Sequence, residues 1–274
     1  FGERFAQVAE SCGKEVVRVM VPEGRTLEPE HLARFLDGPE VDAVALVHCE
    51  SATGALAPLE ALAKIARQHR DVMVLVDAVT SVGGMPVETD AWGLDFVFTG
   101  SQKALALPPG LALGVASPRF IERAAKLPGR GWYLDPIKLL ESARTALPLQ
   151  TPAISLIYAL ACQLERIERT GGLEARWHRH REMQAIVERW CDAHAGCTLL
   201  APPGRRSPTI SAVRLPPGLT ASAAAAALAK DGWSVTSGLP PLAESVIRIG
   251  HMGDAVPERL DEMLAALGAL VALV

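Results

Sequence analysis

The chain has 274 residues, 49% of them hydrophobic and 21% charged, with a formal net charge of −4. A chain of that length and apolar content buries a sizeable core, which excludes a disordered or fibrous protein and leaves room for one large domain and a smaller one. Its mild negative balance recommends neither nucleic acid nor an anionic membrane as partner, and makes small molecules the better expectation.

The sequence opens at Phe1, and FGERFAQVAESCG (1–13) reads as the middle of a helix after a turn. VDAVALVH (41–48), VMVLVDA (72–78), LDFVFTG (94–100) and GLALGVAS (110–117) read as strands, with the amphipathic helix PLEALAKIARQH (58–69) between the first two. The strand runs are nearly continuous in Val, Leu, Ala and Phe, the pattern of strands buried on both faces. Strand alternating with helix predicts an α/β fold, a mostly parallel sheet flanked by helices. From Thr151 the pattern changes to a long helix, TPAISLIYALACQLERIERTGG, with Pro152 near its start and Gly171–Gly172 closing it. A second helix, LEARWHRHREMQAIVERWCDAHAG (173–196), follows. TISAVRLP (209–216), ASAAAAALAK (221–230), WSVTSG (233–238), VIRIGH (246–251) and a final helix from Pro257 then make a compact α+β unit. The predicted organisation is a large domain over 1–172 and a small C-terminal α+β domain over 173–274.

No apolar run reaches the ~18 residues a membrane span needs, and no signal-peptide pattern is present. Cys12, Cys49, Cys162, Cys191 and Cys197 are odd in number and lack CxxC spacing, so neither a disulfide framework nor a zinc site is expected. Reduced thiols and a cytoplasmic location are.

In open parallel sheets, ligands lie beyond the carboxyl ends of the strands. Three runs end on polar residues: His48 with CESATG behind it, Asp77 closing VLVD, and TGSQK closing LDFVF. They suggest one shared crevice. After Val74, Leu75 and Val76, the charge of Asp77 needs a cationic partner, unless it only caps a helix or anchors a loop. Lys103 taken alone is a surface lysine by default. Together, an aspartate and a lysine at adjacent strand ends fit a cofactor that needs a carboxylate under a pyridinium nitrogen and an amine to form a Schiff base. In VIRIGH, Arg248 sits between Ile247 and Ile249 and shares a face with Val246, so a permanently charged fork rises from an apolar strand. It suits bidentate recognition of a carboxylate, or else faces solvent at a sheet edge.

The stretch LVDAVTSVGGMPVETDAWGLDFVFTGSQKALALPPGLALGVAS (75–117) resembles the pyridoxal-phosphate enzymes of aminotransferase class V, within fold type I, and among them most closely the alanine/serine–glyoxylate aminotransferase group. HCESATGALAPL is similar to that group's HxESSTG segment, TPAISLIYAL to its post-loop helix and VIRIGHMG to its carboxylate-binding strand. The resemblance implies transamination between a small amino acid of serine or alanine type and a small 2-oxo acid such as glyoxylate. Lys103 would hold pyridoxal 5′-phosphate as a Schiff base and later shuttle the substrate's α-proton. Asp77 would keep the ring nitrogen protonated, Val79 and Phe1 would pack on the ring, and Ser51 would bond near its phenolic oxygen. Gln102 would contact the phosphate, Thr151 would reach the phosphate of a neighbouring subunit in a homodimer, and Arg248 would grip the substrate carboxylate.

Two departures accompany the resemblance. The family's glycine-rich phosphate loop lies upstream of its stacking aromatic and has no counterpart after Phe1, so the expectation is that the sequence is a trimmed portion of a longer chain. Pro148 stands where many relatives carry a phosphate-donating tyrosine. A same-fold lyase of desulfurase type is the alternative enzyme, although such enzymes place His before the lysine, where this chain has Gln102. A non-catalytic subunit without the phosphate loop is the other alternative. Cys49 reads as a packed small residue, Trp132–Tyr133 as a loop or dimer anchor, and His48 as a buried hydrogen-bonding or supporting residue. His178 and His180 read as part of a solvated helix, without a metal.

Overall fold

In the computed structural model, which describes residues 1–38 and 40–274, the apolar runs of the first half become the strands of one sheet. The elements begin with α1 (Gly2–Ser11), α2 (Pro29–Leu36), β1 (Ala43–Val47), the hairpin β2 (Cys49–Glu50) and β3 (Ala55–Leu56), α3 (Leu59–Ala66), β4 (Met73–Asp77), β5 (Phe96–Gly100) and β6 (Ala112–Ala116). They continue through α4 (Pro118–Ala125), α5 (Pro136–Thr145), α6 (Ile154–Arg169), α7 (Gly172–Ala193), β7 (Thr198–Leu199), β8 (Ile210–Arg214), α8 (Ala221–Lys230), β9 (Thr236–Ser237), β10 (Val246–Gly250) and α9 (Pro257–Val271).

The first sheet runs β1-β4-β5-β6, parallel from β1 to β5 and antiparallel at β6. It is the α/β, mostly parallel arrangement the alternating pattern predicts. Burial on both faces is nearest at β4, where Val74 and Val76 on one face are fully buried and Met73 on the other is buried with Leu75 half-buried, but it does not hold at the edges: β6 leaves Val115 exposed. Edge strands have a neighbour on one side only, so an apolar run there need not be covered on both faces. Leu32, Leu62, Val74, Val76 and Val97 belong to the cluster between this sheet and its helices.

The second sheet, β7-β8-β10-β9, is wholly antiparallel. Residues from α7, α8 and α9 close over it around Met183, Val187, Val213, Ile247 and Leu267. Local chemistry sets many boundaries. Ser117, Asp135 and Thr220 accept backbone N–H bonds at the starts of α4, α5 and α8, and Pro opens α2, α4, α5 and α9. Between α6 and α7, Gly171 takes φ +102, and a Cβ there would lie 2.8 Å from that of Ala175. Only glycine turns the chain this sharply without a clash.

Polar bonds tie the two sheets together. The Thr209 hydroxyl donates to Thr80 O at 2.9 Å, Ser207 N to Gly54 O at 2.9 Å and Leu56 N to Arg205 O at 2.8 Å. Among the described residues, no helix is long and apolar enough to cross a membrane.

Candidate active site

Strand register brings the polar ends together. Asp77 pairs across to Val47 on β1 and to Phe98 on β5, so His48, Asp77 and Thr99 reach the same edge of the sheet. His48 N donates to Asp77 O at 2.9 Å, and Thr99 Oγ1 donates to Val79 O at 3.4 Å. The Asp77 carboxylate is half-buried, and its Oδ1 accepts from Val79 N at 2.9 Å. Burial raises its pKa above the ordinary carboxylate value. The Val79 amide pulls against that, Glu50 adds to it, and the Phe1 amine and Lys103 charges oppose it. Loop anchoring and a nearby cation are therefore both present.

Lys103 projects half-buried from the loop after β5. The buried Ser101 hydroxyl donates to Pro108 O at 2.7 Å and accepts from Leu111 N at 3.3 Å, closing the loop on itself. Ala106 N turns back onto Lys103 O at 2.8 Å, with Ala106 left-handed at φ +56. The positive charge of Lys103 acts on both Asp77 and the Cys49 thiol, opposing the upward push that burial gives each pKa. The amine takes part in no ion pair among the described residues.

Arg248, half-buried on β10, donates from Nε to Ser237 O at 2.9 Å and from Nη1 toward Ser51 O at 3.5 Å. Ser51 is buried in the turn between β2 and β3, so the fork crosses from the second sheet to the first. The Phe1 amine pairs with Glu50, which also accepts from Ala52 N at 2.9 Å. Phe1 itself is exposed, with Arg4 over its ring at 5.1 Å. Gln102 and Thr151 are exposed, Thr151 just ahead of α6, and neither hydrogen-bonds to the other candidates among the described residues.

Cys49 is buried and donates to Ser207 Oγ at 3.1 Å, and burial pushes its pKa up to about 11. That is the packed residue expected, with little thiolate at neutral pH. Trp132 and Tyr133 lie exposed on the surface, with Lys138 Nζ 3.5 Å above the Trp132 ring.

The solvated reading of the HRH segment needs correction. His180 is fully buried, with Nδ1 3.0 Å from Gly84 O, and so carries its proton there. Burial, first of all, drops its pKa to about 4. Sequence reasoning also missed Arg176, buried on the same helix, and Asp254, which pairs with it at 3.0 Å. A signal existed: Arg176, His180, Met183, Val187 and Trp190 recur at alternating spacings of four and three, one face of a helix, and all five are buried. Two of the five being polar concealed the stripe.

A parallel sheet whose strand ends gather a carboxylate, a loop amine and a guanidinium from a second sheet defines the α/β scaffold of a pyridoxal-phosphate enzyme of fold type I. The sequence profile of Aminotransferase class-V matches residues 4–250, and the chain belongs to that family of pyridoxal-phosphate-dependent enzymes. It is 35% identical over its whole length to a protein named soluble hydrogenase, small subunit, from Synechococcus sp., and spans 71% of it. It is 33% identical to the L-aspartate–glyoxylate aminotransferase of Paracoccus denitrificans, over 92% of this chain and 65% of that protein. The crystal structure of an alanine–glyoxylate aminotransferase from Nostoc sp. superposes with a TM-score of 0.92 at 32% identity, covering 98% of this chain and 72% of that one.

Proposed function

We propose that the protein transfers an amino group between a small amino acid, of serine or alanine type, and a small 2-oxo acid such as glyoxylate, with Lys103 as the cofactor-binding amine. The observation that carries this reading is the half-buried Asp77 carboxylate within electrostatic reach of a Lys103 amine that takes part in no ion pair among the described residues. The residues fit pyridoxal phosphate. Val79 N engages Asp77 Oδ1, while Oδ2 takes no hydrogen bond among the described residues and is free to accept from a protonated ring nitrogen. When bound, that cofactor supplies an aldehyde for a Schiff base with Lys103 and a ring that takes up the electrons released at the substrate's α-carbon.

The chain's own residues do the rest. Asp77 holds the proton at the ring nitrogen, and Lys103 receives and returns the α-proton. Val79 and Phe1 flank the ring, Ser51 serves its phenolic oxygen and Gln102 its phosphate. Arg248, steadied by Ser237 O, binds the substrate's carboxylate. Thr151 serves the cofactor of a second subunit. Assembly as a homodimer is supported by α6, which leaves Ile154, Ile157 and Tyr158 exposed. A division near Gly172 is supported by the two separate hydrophobic clusters on either side of it. Five free cysteines accord with a cytoplasmic setting.

Relatives named for glyoxylate support the acceptor. Against a desulfurase stands Gln102, in the place before the lysine where such enzymes carry His. The test is the long-wavelength absorbance of protein loaded with pyridoxal phosphate. Lys103→Ala is expected to abolish the band, and a band that persists in that variant, or never forms in the parent, overturns the assignment.

A further inference from the structure

The Lys103 loop is held from outside as well as from within. Ala104, fully buried, presents its carbonyl oxygen to one guanidinium, accepting from Arg176 Nε at 3.2 Å and Nη2 at 2.6 Å. The remaining arm of Arg176, Nη1, donates to Asp254 Oδ1 at 3.0 Å. Asp254 is in turn fixed by Gln163 Nε2, at 3.1 and 3.2 Å to its two oxygens, and by Arg166 Nη1 at 2.5 Å. Burial pushes the Asp254 pKa upward, but the bonds from Arg176 and Gln163 and the charges of Arg176 and Arg166 outweigh it and hold the carboxyl below its ordinary value. The turn that carries Asp254 touches the lysine loop directly. At Gly253, φ +73, a Cβ would come within 3.0 Å of Ala106 Cβ and 3.4 Å of Lys103 O, and Gly253 O accepts from Arg179 Nη2 at 2.8 Å.

That turn directly follows β10, the strand bearing Arg248. One rigid path therefore joins the two groups that must meet a single substrate: Arg248, β10, the 251–254 turn, Arg176 and the backbone beside Lys103. We infer that Arg176 and Asp254 are a positioning pair, locking the Lys103 loop to the turn after β10 and so setting the separation of the amine from the carboxylate-binding fork. Neither residue touches reacting atoms. The role needs a guanidinium: a planar fork gives two N–H bonds to one carbonyl and a third to a carboxylate, whereas an ammonium on a flexible stem has no such fixed geometry. It also needs Asp254, because a buried cation without a counter-charge is costly.

This inference rests on Lys103 being the cofactor-binding amine, and its test separates the two. Hydrogen exchange of the amides of residues 101–107 in cofactor-free protein reads the lock without the cofactor. Arg176→Lys and Asp254→Asn are each expected to speed exchange there by about tenfold, while exchange in α8 and α9 stays at the parent rate. In the holoenzyme the same variants keep the long-wavelength band but shift its pH midpoint, and kcat falls by about tenfold with little change in KM. Parent-like exchange at 101–107, exchange that rises uniformly along the chain, or an unmoved pH midpoint overturns the pairing. Should Arg176→Lys not fold, Asp254→Asn, which keeps its shape and loses only the counter-charge, decides alone. Loss of the Lys103 assignment would show instead as a band surviving Lys103→Ala, with the local exchange result still standing.

Discussion

The consecutive helices α6 and α7 invert what their compositions suggest. The apolar one, ISLIYALACQLERIER, buries only Gln163 and Ile167 and leaves Tyr158 70% exposed. The polar one, GLEARWHRHREMQAIVERWCDA, buries seven residues, with Arg176 at 5% and His180 at 0% exposure. The reason is position. One end of α7 lies against backbone carbonyls of the first sheet's loops, Gly84 O and Ala104 O, and only donors can meet them. Its later turns, at Met183 and Val187, enter the apolar cluster of the second unit. Little of α6 is covered within this chain, which leaves apolar side chains such as Ile154, Ile157 and Tyr158 exposed.

Acid offers the hardest test of that contrast. His180, His251 and His48 are buried, and burial, as the leading cause, drops each pKa to about 4. They fold as neutral bases, with pKa values below the unfolded one near 6.5, so protons bind the unfolded chain first. Their stability is fully present above about pH 6.5 and declines as pH falls toward about 4, each group accounting for at most about 3 kcal/mol. Asp77, with its raised pKa, acts in the opposite sense. Calorimetry is expected to show a marked fall in Tm between pH 7 and pH 4.5. His180→Gln, which keeps a donor for Gly84 O but cannot titrate, should make the fall shallower. A Tm level across that range would break the account of a buried polar face on α7.

Next in size is Met183→Ala. Its side chain is fully buried in the second cluster, and its loss is expected to cost about 2–5 kcal/mol in urea unfolding. A cost below about 0.5 kcal/mol would mean that α7 is not packed as described. The smallest effect on folding, though not on assembly, belongs to Tyr158→Glu. The exposed ring makes room for a charge without disturbing the fold, so unfolding should shift by no more than about 0.5 kcal/mol. Sedimentation, meanwhile, should change from dimer to monomer if the proposed homodimer is built on α6. A dimer that survives the substitution would place the contact between subunits elsewhere than on α6.

Most of the fold was legible in the sequence. The alanine-rich segment forms a helix over the range its composition marks, and the runs ending at His48, Asp77 and Gly100 form three strands in parallel register. WSVTSG gives only the short β9, and the antiparallel direction of β6 was not readable, because strand direction depends on which neighbour the chain meets and not on its own residues. Of the candidate site, Lys103, Asp77 and Arg248 stood out because each is a charge beside or within an apolar run. Arg176, His180 and Asp254 did not, since a charged residue on a charged helix or in a turn looks like ordinary surface.

By itself, then, the amino-acid order determined which segments are strands and helices, where most of them stop, and which charges close the apolar runs, because periodicity, caps and glycine turns act over a few residues. Tertiary structure alone decided that α7 is buried and α6 uncovered, that Arg248 reaches across to Ser51, and that a guanidinium 72 residues along the chain grips the backbone next to Lys103. Those outcomes depend on which surfaces meet, and a buried polar group is made stable only by the partner it finds there.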